Sequence, residues 1–95
     1  MISVHVIAET EGARGWVYAL RVEHADGSST SHELRLAWVD HNHWAGDRPL
    51  PPSRVAAAVA TYAAERIDAG LPARFDASTV RRWLPEVDRD LAALL

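Results

Sequence analysis

Residues 15–40 read GWVYALRVEHADGSSTSHELRLAWVD, and the parity of the large side chains in this run decides the fold. Trp16, Tyr18, Leu20 and Val22 take every second position before the polar segment, and Leu34, Leu36 and Trp38 do so after it. Period-two alternation on both sides of a glycine-containing turn predicts two antiparallel strands sharing one apolar face. A one-residue slip would turn every large residue over, so the loop length is constrained. A two-residue Asp26-Gly27 loop would set Leu20 opposite Glu33. A three-residue Asp26-Gly27-Ser28 loop sets Trp16 opposite Trp38, Tyr18 opposite Leu36 and Leu20 opposite Leu34. The expectation is therefore an odd-length loop with a bulge at Gly27, and a core that includes Trp16 and Trp38.

Upstream, MISVHVIAE alternates as well, with Ile2, Val4, Val6 and Ala8 on one face and Ser3, His5, Ile7 and Glu9 on the other. ETEGARG supplies the turn into the second strand, giving a three-stranded meander whose last strand, HELRLAWVD, ends at Asp40. Downstream, Trp38 to Arg54 reads as a crossover. Trp44 covers the core edge, Gly46-Asp47 turns the chain, and Pro49-Leu50-Pro51-Pro52 starts a helix, where a missing N–H costs nothing. In PPSRVAAAVATYAAERIDAG, Val55, Val59, Tyr62, Arg66 and Ile67 lie near one stripe with small alanines between them, and Gly70 marks the stop. Two short helical pieces follow, broken at Pro85, with Leu91, Leu94 and Leu95 returning to the body. The predicted class is α+β: a three-stranded antiparallel β-meander, one long helix across its large-residue face, and a short broken C-terminal helical pair, a βββαα order within a single domain over residues 1–95.

The 95 residues suffice for one core and too few for two. There is no cysteine, which removes disulfides and thiolate zinc sites. No run approaches the ~20 apolar residues of a membrane span, and no basic leader precedes an apolar stretch, so a cytoplasmic chain without a membrane partner is expected. A net charge of −3 argues against general binding to nucleic acid, which is driven mainly by neutralising phosphates.

Three sets of residues invite chemistry. His41 and His43 would point the same way from an extended strand, with Asp40 and Asp47 near enough to add oxygen ligands; without a third ligand of definite spacing, no metal or other cofactor is assigned. Arg74, Arg81, Arg82 and Arg89 offer a basic surface, opposed by Asp76, Glu86, Asp88 and Asp90, the last two read as a solvated helix face. Ser28, Ser29, Thr30 and Ser31 are hydroxyls of a hairpin turn, where small polar residues need no further reason, and no nucleophile elbow or phosphate-binding glycine loop occurs. No catalytic residue is assigned.

The second sheet face carries more. Ile7, Val17, Ala19, Ala37 and Val39 are predicted to fall together opposite the large residues, bordered by Arg21, Glu33 and Arg35. A one-sided sheet normally shows polar groups to water, so a covering layer is expected, from the C-terminal helix or from another subunit. Trp44 and Arg48 add a rim where a partner could bind.

The segment RFDASTVRRWLPEVDRDL, Arg74 to Leu91, resembles the ending of small bacterial proteins of unknown function, in which an Arg-Phe-Asp segment and a short helix precede an aromatic-hydrophobic-Pro-Glu turn. LPPSRVAAAVATYAAER is similar to their proline-started helix. The resemblance covers roughly residues 50 to 91 and implies no activity. In physical terms, Phe75 can anchor the segment, Asp76 can cap the next helix, and Arg74 or Arg81 can bond a carboxylate. The sequence thus points to a non-catalytic interaction module or accessory subunit, a homo-oligomer or the partner of another protein. A nucleic-acid-binding module and a small metal-dependent enzyme at His41 and His43 stand as alternatives.

Overall fold

The computed structural model describes residues 2–95. Its elements are β1 (Ser3–Glu11), β2 (Gly15–Glu23), β3 (Ser29–Ala37), α1 (Trp38–Ala45), α2 (Pro52–Arg66), β4 (Arg74–Asp76), a 3-10 turn (Ala77–Thr79), α3 (Val80–Trp83) and α4 (Val87–Leu94). The class is α+β, with one four-stranded sheet in the order β1-β2-β3-β4. The first three strands are antiparallel neighbours and β4 joins parallel to β3.

The β2–β3 hairpin has the expected odd loop, one position earlier than expected. His24 donates its N–H to the Ser28 carbonyl and Gly27 donates to the His24 carbonyl, so the three loop residues are Ala25-Asp26-Gly27. In this hairpin class a type I turn is followed by a residue of positive φ, which must be the last of the three. Gly27, at φ 89°, takes that position. The consequence is a register two residues from the expected one: Trp16 pairs with Leu36, Tyr18 with Leu34 and Leu20 with His32. Face parity survives because the shift is even.

A bulge at Ile7 corrects the reading of β1. Val4 pairs with Val22 and Val6 with Leu20, but the extra residue then brings Ala8 opposite Ala19 and Glu9 opposite Tyr18. Parity inverts there, so Ala8 leaves the apolar face and Glu9 joins it. The Tyr18 hydroxyl donates to Glu9 Oε1 at 2.6 Å, which satisfies a phenol set at the core edge.

The third strand stops at Ala37, three residues before the expected end. Ala37 pairs with Gly15, where β2 begins, so no further β2 residue can continue the ladder. Trp38 donates its N–H to the Arg14 carbonyl and the chain coils into α1, ending at Gly46 with φ 61°. Trp38 and Val39 therefore belong to a helix rather than to the sheet. Trp38 is 43% exposed and lies outside the core assigned to it from sequence.

α2 starts at Pro52 as expected and ends at Arg66, ahead of the Gly70 turn. Its buried residues Val55, Ala56, Val59, Ala60, Tyr62 and Ala63 form one cluster with Tyr18, Leu20, Leu34 and Leu36 of the sheet. Phe75 of β4, Val80 of α3, and Val87 and Leu91 of α4 complete it. Every helix thus packs on the same side of the sheet. Leu94, expected to return to the body, is 60% exposed. Asp76 occupies the cap position of the 3-10 turn without making a side-chain cap bond. No described helix is long and apolar enough to cross a membrane.

Candidate functional site

The open face of the sheet follows from the pairing. Opposite the core lie Ser3, His5, Ala8 and Thr10 of β1, Val17, Ala19, Arg21 and Glu23 of β2, Ser31, Glu33, Arg35 and Ala37 of β3, and Arg74 and Asp76 of β4. No helix among the described residues crosses them, and most are exposed. The expected layer from the C-terminal helix is absent, because α4 packs its Val87 and Leu91 into the core on the other side.

Small residues occupy the middle: Ala8 is beside Ala19, and Thr10 is beside half-buried Val17. Charges frame them. Arg21 lies 3.4 Å from Glu23, and His5 lies 3.6 Å from the same glutamate. Arg35 lies 3.8 Å from Glu33, while register sets Arg74 beside Glu33 and Asp76 beside Arg35. Arg21, Arg35 and Arg74 are thereby matched in number by Glu23, Glu33 and Asp76.

Of the residues expected to form the interaction surface, Val17 and Ala37 lie on this face, both half-buried. Ile7 is the unpaired residue of the β1 bulge and is 59% exposed. Val39 is 72% exposed but on α1, so it does not belong to the sheet patch. Trp44 is a core residue at 3% exposure rather than a rim residue, its indole N–H donating to Asp88 Oδ1 at 2.7 Å. Arg48 is spent within the chain, bonding the carbonyls of Ala45, Trp44 and Leu95 and so fastening the end of α1 to the last residue.

Trp44 belongs to a charged junction that joins α1, α3 and α4. Arg81 donates to Asp40 Oδ1 at 2.6 Å and to Asp88 Oδ1 at 2.9 Å, with its guanidinium 4.6 Å from the Trp44 ring centre. Burial alone would raise the Asp88 pKa, but the bonds from Arg81 and Trp44 and the nearby charges outweigh it and hold it below the usual carboxylate range. Asp90, also read from sequence as solvated, accepts from the Tyr62 hydroxyl at 2.7 Å and from Arg89. Three of the four C-terminal arginines are thereby separated: Arg81 faces inward between carboxylates, Arg89 is paired with Asp90, and Arg74 lies on the open sheet face.

The two histidines of the crossover diverge. Two positions on a helix are separated by about 200° around its axis, unlike two positions on a strand. His41 sits 2.9 Å from the Leu50 carbonyl and against Trp16, whereas His43 lies 3.5 Å from Asp88. Among the described residues no group of three or more His, Cys, Asp or Glu side chains is placed to hold a metal ion.

Two depressions mark the ends of the sheet. One, of about 540 Å³, is bordered by the Gly12–Gly15 turn, Trp16, Asp40 and Asp76. The other, of about 560 Å³, lies at the β2–β3 turn and includes His24, Thr30, His32, Glu65 and Asp68. There His32 Nδ1 is 2.6 Å from the Pro72 carbonyl and its Nε2 is 2.7 Å from Thr30 Oγ1, which also lies 3.0 Å from His24 Nε2. Reading Thr30 as a turn hydroxyl missed this cluster. Thr30 belongs to β3, and the signal was its two-residue spacing from His32, which puts both on one face of a strand.

Comparison with known proteins found no matching family model, no matching curated protein and no matching solved structure. The functional reading therefore rests on geometry.

Proposed function

We propose that this chain is a protein-interaction module or accessory subunit that pairs with a second copy of itself through the open face of the sheet. The observation that carries the reading is a strip of small residues, Ala8, Thr10, Val17 and Ala19, left without a covering layer between charges of both signs. A flat strip of small side chains lets a second sheet approach closely. Equal numbers of arginines and carboxylates around it suit a self-complementary surface, since a two-fold axis can set each Arg against a partner carboxylate. A strongly charged partner would find no net charge to bind.

Nine-residue strands at ~3.3 Å per residue and three strand widths give a face of about 30 by 15 Å, at the low end for a specific interface. The pairing is accordingly weak and concentration-dependent. Light-scattering chromatography at several concentrations tests it. The expected result is a mass rising from one chain toward two, abolished by Val17→Glu with an unchanged circular dichroism spectrum. A single-chain mass up to millimolar concentration would overturn the reading.

A further inference from the structure

We propose that Thr30 is an acyl-acceptor hydroxyl activated by His32 as general base. The Pro72 carbonyl can only accept, so His32 Nδ1, 2.6 Å away, carries a hydrogen. In the neutral ring Nε2 is then an acceptor, and Thr30 Oγ1, at 2.7 Å, directs its proton there. That proton being committed, His24 Nε2, 3.0 Å from the same oxygen, is the donor in their bond. One lone pair of Oγ1 is left for an electrophile. Hydroxyl, imidazole and orienting carbonyl in sequence form the arrangement that activates a nucleophile in covalent catalysis.

Exposure is divided in the useful way. His32 is 9% exposed and held from both sides, while Thr30 is exposed on the wall of the 560 Å³ depression. Ile67 and Leu71 give the depression an apolar wall, and Asp26, Glu65 and Asp68 give it carboxylates. Those carboxylates repel phosphoryl donors and favour a neutral or cationic ester or thioester. In the step, a bond forms between Thr30 Oγ1 and the acyl carbon, and the bond from that carbon to the leaving oxygen or sulfur breaks. The hydroxyl proton passes to His32 Nε2 and then to the leaving group, giving a threonine ester and a free alcohol or thiol.

The test treats the full chain with p-nitrophenyl acetate, a neutral activated ester, and maps the acetyl group by peptide mass spectrometry. Thr30 is expected to be acetylated well ahead of Ser29 and Ser31, exposed neighbours with no histidine bond among the described residues. Thr30→Ser retains the label, and Thr30→Val removes it from this position. His32→Asn, whose amide can replace Nδ1–H on the Pro72 carbonyl, lowers Thr30 labelling about a hundredfold, the usual scale of general-base assistance. Labelling of Thr30 no faster than Ser29 and Ser31 overturns the proposal without any variant. Equal labelling of Thr30 in folded His32→Asn overturns it as well.

Discussion

The two faces of the sheet are written in the same strands, one residue apart, and they obey different rules. Leu34 is fully buried beneath the helices, while Arg35, its neighbour, stands exposed on the open side beside Glu33. On the covered face the side chains are large and apolar, and polar groups are admitted only with partners, as Tyr18 is with Glu9. On the open face they are small or charged, and most stand exposed. The difference teaches that the side chains that hold the fold together and those of the open face alternate along the same strands, so each set can be changed without the other.

The largest effect is expected where the two faces meet at the strand end. A Cβ on Gly15 would lie 2.1 Å from the Leu36 carbonyl oxygen, a backbone atom that cannot move without parting β2 from β3. Gly15→Ala is expected to cost about 4 kcal/mol or more, in the range reserved for backbone clash and core disruption, read as a collapse of the urea midpoint. Next comes the covered face: Leu34→Ala should cost roughly 2–5 kcal/mol, against about 0.5 kcal/mol or less for the adjacent Arg35→Ala. Comparable losses from the two would dissolve the distinction between the faces.

Acid produces the smallest change. Asp88 has its pKa depressed in the folded state, so its contribution is present above the ordinary Asp value of about 3.9 and is lost as pH falls through the lower folded value. Asp90, held low by the Tyr62 hydroxyl and then by Arg89, acts in the same direction. Urea midpoints measured from pH 5 down to 2 should fall, and Asp88→Asn should flatten the curve. An unchanged slope in that variant would assign acid sensitivity elsewhere.

Much of the covered face was legible because a buried sheet face imposes strict parity. Tyr18, Leu20, Leu34 and Leu36 announced it, and Val55, Val59 and Tyr62 announced the helix above. Exact register was less legible, since three-residue loops at 25–27 and 26–28 preserve parity equally, and only the positive φ required of Gly27 separates them. α1 was hidden because Leu34-Arg35-Leu36-Ala37-Trp38 keeps alternating after its β2 partner has run out. β4 is three residues long, too short for any period, and its place is set by Phe75 entering the core. The bulge at Ile7 left no trace in an alternation that continues through it. Of the residues singled out for binding, Val17 and Ala37 could be placed on the open face by parity, whereas Trp44 and Asp88 were misread because their bond spans 44 residues.

The Ile7 bulge also lies on the outer border of the sheet. β1 is an outermost strand of nine residues with apolar Val6 and Ile7 exposed, the kind of border on which further strands can accrete into fibrils. The extra residue breaks the ladder in mid-strand and increases the local twist, and Glu9 and Glu11 place charge beyond the break. An incoming strand meets two short, misaligned runs of backbone groups instead of one long template. A single irregularity in the pairing thus makes the outer border of the sheet a poorer template for edge-to-edge growth.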